Sequence, residues 1–175
     1  MKPQSLILLL SASLTLTSVV SAKHGDTKPA APQVEQPQPS AQIEVDNLVA
    51  GRRAAYWMSA GLFGGMFGVI ESGGDIKPLA FPAQALASWA KALPGMFPEG
   101  SANAQSNALP TVWTQRDEFE KIAGLYAQRA TSLSEIARTG DADAFKSQWT
   151  LVRETCSSCH DKFRLDRRKE AQEQN

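Results

Sequence analysis

The sequence predicts an all-α fold, an antiparallel up-down four-helix bundle. Three observations carry that prediction. Apolar residues recur at helical spacing over four separate segments. No run alternates apolar and polar residues in the manner of a strand, and no Asn-Gly hairpin signal occurs. The first two helical segments, and the last two, are joined by short connections, which place successive helices side by side and antiparallel.

Two segments precede the helices. Residues 1–22 are expected to be a signal peptide, removed before folding. Met1-Lys2 is a short positive start, and Leu6 to Val20 is apolar apart from Ser and Thr. Val20-Ser21-Ala22 suits the −3 and −1 positions of a cleavage site. That apolar run is 15 residues long, short of the ~20 that a spanning helix needs. Cleavage therefore leaves no stable membrane insertion, and the expected compartment is the oxidising periplasm. Residues 23–42 are expected to be a Pro-rich, disordered linker. Pro29, Pro32, Pro37 and Pro39 fall in it, and Val34 is its only bulky apolar residue, too little to offset chain entropy. The folded domain is expected over 43–175.

The first helix is predicted over roughly Val45 to Ser72. At about 100° per residue, Val45, Val49, Arg52, Ser59, Phe63, Phe67 and Ile70 lie on one side with Tyr56. Leu48, Ala55 and Met66 widen that stripe, and Gly73-Gly74 stops the helix. The second helix is predicted from Pro82, suited to a first helical position, to about Leu93. Leu86, Trp89, Ala90 and Leu93 form its apolar side, and Pro94 ends it. Gly95 to Trp113 has little periodicity and is expected to wrap the bundle. The third helix is predicted from about Gln115 to Arg138, with Thr114 as N-cap. Its stripe holds Phe119, Ile122, Ala123, Tyr126, Ala130, Leu133, Ile136 and Ala137. The fourth is predicted from near Asp141 to about Arg168. Phe145, Trp149, Val152, Cys156, Cys159, His160 and Phe163 share its apolar face. The charged end, Arg167 to Asn175, is expected to fray.

Composition narrows the chemistry. The chain has 175 residues, with 18 basic and 18 acidic side chains. That balance supplies no basic field for nucleic acid. Two cysteines exclude a disulfide-rich scaffold and a Cys₄ metal site within one chain. Two histidines, His24 and His160, leave little room for a His-built zinc centre or a His-dependent triad. With no P-loop or carboxylate metal cluster in view, the chain is not expected to be an enzyme.

Both cysteines and one histidine fall in Cys156-Ser157-Ser158-Cys159-His160. Cys-x-x-Cys-His is the c-type haem attachment motif. Each sulfur forms a thioether with one haem vinyl group, and residues i and i+3 on a helix turn suit that span. His160 follows at i+4 from Cys156 on the same face, placed to reach the iron as proximal ligand. A thioredoxin-like pair needs a strand before the helix, and a zinc site needs further ligands. A disulfide at i,i+3 within a helix strains its Cβ geometry. His24 lies in the linker, so a second histidine ligand within the domain is excluded. Met58, Met66 and Met96 are the candidate thioether ligands, and packing is the expected role of all three.

The sequence resembles the cytochrome c′ family over about Val45 to Arg168. The attachment motif lies near the C-terminus, and an aromatic and a basic residue follow the histidine in His160-Asp161-Lys162-Phe163-Arg164. Phe63-Gly64-Gly65-Met66 with Val69-Ile70 resemble the family's late first helix. Leu93-Pro94 and Pro110 to Trp113 resemble its inter-helix segment. The resemblance implies one covalent haem c per chain. It places Arg52 on a haem propionate, Tyr56 at the blocked distal position and Arg164 on the proximal face. It also implies five-coordinate, high-spin iron that binds small gases, nitric oxide or carbon monoxide, and a role in nitric oxide binding with some electron transfer. Trp57, Gly61, Gly64, Gly65 and Gly68 lie off the core stripe of the first helix, and the family often forms a homodimer through that helix. Two alternatives stay open: a low-spin, Met-ligated electron carrier, and a non-haem helical interaction protein.

Overall fold

The computed structural model describes residues 39–166. Five α-helices occupy them: α1 (Pro39–Ser72), α2 (Ala80–Ala92), the single turn α3 (Thr111–Thr114), α4 (Arg116–Thr139) and α5 (Ala142–Phe163). Short 3₁₀ turns at Lys77–Leu79 and Pro94–Met96 flank α2. The long helices α1, α2, α4 and α5 form the predicted four-helix bundle, and the described residues contain no strand. The signal peptide, most of the linker and the C-terminal end, including Arg167 and Arg168, lie outside the described residues.

Several boundaries differ from expectation. α1 begins at Pro39, so the last four residues assigned to the linker, 39–42, are helical. Proline at a helix start loses no hydrogen bond, because the first N–H groups have no intrahelical acceptor. Pro82 is the third residue of α2 rather than the first, a position equally free of an N–H obligation. Thr114 is not an N-cap. It ends α3, and its hydroxyl turns back to the Pro110 carbonyl at 3.4 Å. Gln115 holds the N-cap position of α4 without a side-chain cap. α5 ends at Phe163, because Arg164 adopts an extended backbone.

Two glycines make the tight reversals possible. Gly73 after α1 and Gly140 after α4 have φ of 65° and 83°, which side chains with a Cβ avoid. Asp141 then caps α5 by accepting from the Ala144 N–H at 3.0 Å.

The apolar stripes bury as two groups. One gathers Met66, Ile76, Leu86, Leu133, Phe145, Trp149 and Val152. The other gathers Leu93, Phe97, Val112, Phe119, Ile122, Ala123 and Phe163. Tyr126 packs against both. α2 lies along α4 and α4 along α5, while α1 rests mainly on α2. α1 also reaches α5 through Phe63, whose ring stacks on Trp149 at 4.5 Å. Phe67, predicted on the buried stripe, is 45% exposed. It stacks on the outer side of Trp149 at 5.2 Å, which covers the indole without enclosing its own ring.

Candidate haem site

Two adjoining cavities, of about 250 and 170 Å³, open beside the second apolar group, and the smaller also reaches Phe63, Tyr126 and Cys156 at the first. Tyr56 and Ala60 line both from α1, and Cys159 and His160 line both from α5. Cys156 lines the smaller one with Trp89 and Tyr126. Arg52, Arg53, Trp57 and Arg164 line the larger one with Phe97, Phe119 and Phe163. All six residues singled out from the sequence therefore border one continuous region. Helical spacing explains it: Arg52, Tyr56 and Ala60 are successive turns of α1, and Cys156, Cys159 and His160 share one turn of α5.

The electrostatics of the region favour neutral groups. Both cysteines are free thiols, and burial pushes each up to about 11. Burial holds His160 below the usual imidazole value, with Arg164 adding to the effect and Asp161 opposing it. Burial likewise raises Tyr56 and Tyr126 above the usual phenol value. These are the chain's only two tyrosines, and both line the smaller cavity.

Trp89 adds the one buried side-chain N–H without a hydrogen-bond partner among the described residues. Its ring meets Tyr56 edge-on at 5.3 Å. An unpaired buried donor is costly and calls for an explanation.

Arg52 is anchored by the protein itself. It is 2% exposed, but its contacts are neutral oxygens and an aromatic face. Its Nη1 donates to the Met96 carbonyl at 3.2 Å and the Ser101 hydroxyl at 3.0 Å. Its Nη2 donates to the Ser101 carbonyl at 2.7 Å and the Ser106 hydroxyl at 2.9 Å. The guanidinium carbon lies 4.3 Å from the Phe97 ring centroid. An arginine on an apolar face therefore has partners here without any anion. The loop that supplies them has no hydrophobic period, so the sequence offered no signal for it.

Arg164 sits differently. It follows the last turn of α5 rather than belonging to it, and its backbone forms an isolated antiparallel bridge with Ala108. The three methionines line neither cavity. Met66 is 1% exposed in the core, Met58 faces outward at 64%, and Met96 lies in the 3₁₀ turn after α2.

Trp89 and Tyr126 stood in the predicted apolar stripes without being recognised as cavity residues. A stripe facing a cavity and a stripe facing packed core have the same period.

The family pattern for Cytochrome C′ matches residues 47–164. The chain belongs to the cytochrome c′ family. A cytochrome c′ of Rhodospirillum rubrum is 26% identical over 92% of this chain and 97% of its own length. A cytochrome c′ of Pararhodospirillum photometricum is 36% identical over 47% of this chain, a match spanning 66% of that relative. A nitric oxide complex of a mutant cytochrome c prime from Alcaligenes xylosoxidans has the same fold, with a TM-score of 0.64 and 22% identity over 70% of this chain and 96% of that one.

Cytochromes c′ carry covalent haem c, and the two cysteines that attachment requires are present. The residues fit the group. Two neutral thiols and an imidazole on one helix turn border a slot with aromatic walls, one of them the Trp89 ring, whose N–H is buried without a partner. Among the described residues no helix is long and apolar enough to cross a membrane.

Proposed function

We propose that this chain is an exported, periplasmic haem protein that binds small gases, nitric oxide above all, at a five-coordinate, high-spin iron. Cys156 and Cys159 would hold the macrocycle through two thioethers, and His160 would supply the axial nitrogen. The haem would supply an iron that takes a small gas as ligand. The observation that carries this reading is the lining of the cavities: His160 and Tyr56 border both, on different helices, and none of Met58, Met66 and Met96 borders either. A thioether ligand would have to come from Met58, Met66 or Met96, whose positions lie elsewhere in the fold.

The remaining residues set the environment. Tyr56 and Trp89 close the space beside the iron with aromatic surface, which admits a small apolar ligand and disfavours hydrated anions. Arg164 borders the larger cavity near His160, where its charge favours the neutral imidazole needed for ligation. Arg52 borders the same cavity, and a haem propionate there would be its anionic partner. Transfer of single electrons is compatible with this iron, and the chemistry needs no further catalytic group.

The outer face of α1 supports self-association. Trp57 is 76% exposed, and a Cβ added at Gly61, Gly64, Gly65 or Gly68 would meet nothing within 4 Å. Each helix glycine costs about 1 kcal/mol relative to alanine. Close approach of a second α1 in a homodimer accounts for that cost.

An absorption spectrum of the ferrous protein, with and without carbon monoxide or nitric oxide, tests the reading. A high-spin spectrum whose Soret band shifts with gas is expected. A low-spin spectrum with a sharp α band and no gas response would refute it.

A further inference from the structure

We propose that Ser106 is a positioning residue for His160. Its hydroxyl joins the buried Arg52 to the loop segment that caps the His160-bearing turn of α5. The inference rests on the assignment of His160 as the iron ligand and deepens it.

The last carbonyls of a helix have no intrahelical donor and need partners from outside. At the end of α5 those partners come from one stretch of loop. The Thr111 hydroxyl donates to the Lys162 carbonyl at 2.7 Å, and the Leu109 N–H donates to the Phe163 carbonyl at 2.9 Å. Leu165 N–H returns a bond to the Asn107 carbonyl at 2.8 Å. The Arg164 N–H closes on the His160 carbonyl itself at 3.1 Å. No αL glycine ends this helix, so the order of its final turn depends on residues 107–111.

That segment is in turn tied to the bundle by Ser106. The Ser106 oxygen accepts from Arg52 Nη2 at 2.9 Å and from the Ala108 N–H at 3.2 Å. Ala108 is the residue bridged to Arg164. Arg52 is thus connected to the chain beyond His160 through the Ser106 hydroxyl. Its other acceptors, Met96 and Ser101, lie in the earlier part of the loop.

The orientation of an axial imidazole follows from the backbone of its own turn, and outer hydrogen-bond partners set that orientation in metal sites generally. The test compares Ser106→Ala, Ser106→Thr and Ser101→Ala in the haem-loaded full chain. Two readouts are taken: native-state hydrogen exchange at the Leu109 and Leu165 amides, and the iron–histidine stretching band of the ferrous protein by resonance Raman. Ser106→Ala should speed exchange at both amides about tenfold, the scale of one lost hydrogen bond to a charged group, and shift or broaden the band. Ser106→Thr, which keeps the hydroxyl, should restore both. Ser101→Ala should leave the band in place.

An unchanged band in Ser106→Ala, a failure of threonine to rescue it, or the same shift in Ser101→Ala would each overturn the proposal. A wild-type chain with no haem spectrum would overturn the ligand assignment, and the positioning role with it. In that outcome the exchange data would still report on the clasp as a stability element, so the two failures are distinguishable.

Discussion

Replacing Tyr56 separates the ring from the hydroxyl as the control on gas binding. The ring borders both cavities with His160 and meets Trp89 edge-on at 5.3 Å. If the proposed reading holds, a diatomic ligand entering beside the iron would have to push this ring off Trp89. An aromatic pair of this kind contributes about 0.5–1.5 kcal/mol beyond burial. At about 1.4 kcal/mol per decade of affinity, that contact lowers gas affinity about 2- to 12-fold. Tyr56→Ala should therefore bind carbon monoxide about 2- to 12-fold more tightly, while Tyr56→Phe, which keeps the ring, should stay within about 2-fold of wild type. The alanine variant should also lose on the order of 2 kcal/mol of stability, below the full cost of a buried aromatic because the ring is half-buried. Equilibrium titration of the ferrous Soret band gives the affinities, and urea unfolding gives the stability. If alanine and wild type bind equally, the ring does not obstruct the site. If phenylalanine behaves like alanine, the hydroxyl is the controlling group and the steric argument fails.

Two further outcomes are expected. In the haem-free chain the thiols stay protonated to about 11 against an ordinary 9.0. At pH 8 their alkylation should therefore run roughly a hundredfold slower in the folded chain than in denaturant. The sign for stability follows: between 9 and 11 only the unfolded chain ionises, so the haem-free fold weakens as pH rises through that window. Equal alkylation rates in both states would contradict the burial argument. On α1, Gly64→Ala should stabilise an isolated helix by about 1 kcal/mol but weaken self-association if a second α1 packs closely there. Sedimentation velocity decides, and a variant that associates as tightly as wild type counts against the dimer face.

The parts legible in the sequence were those with a period. The 3.6-residue stripes brought Arg52 and Tyr56 to the inner side of α1, and put Cys156, Cys159 and His160 on the inner side of α5. What was hidden lay in segments without a period. The loop after α2 carries Ser101 and Ser106, two unremarkable polar residues until Arg52 is seen to need them. Nothing in Lys162-Phe163-Arg164 signals a stop, so the sequence predicts Arg164 on the helix. The stop comes from pairing with Ala108, some fifty residues earlier in the chain. The start of α1 at Pro39 was masked by the proline content of the segment before it.

The position of the site follows from where packing is interrupted. Protein interiors are normally filled to the density of organic crystals, and atoms lining a gap lose their dispersion partners. This bundle nonetheless divides its core into two groups, with Tyr56, Tyr126, Trp89 and both cysteines at the division. The same region holds the unpartnered Trp89 N–H. Apolar side chains at those positions would have closed the gap with no loss of helical pattern. Large aromatics, two thiols and an imidazole around it instead suit a rigid planar group that supplies both the missing contacts and the bonds. Such a group bound to the folded chain adds its interaction free energy to stability. The haem-loaded form should therefore be the more stable one, and α1, which otherwise rests mainly on α2, should gain most from it.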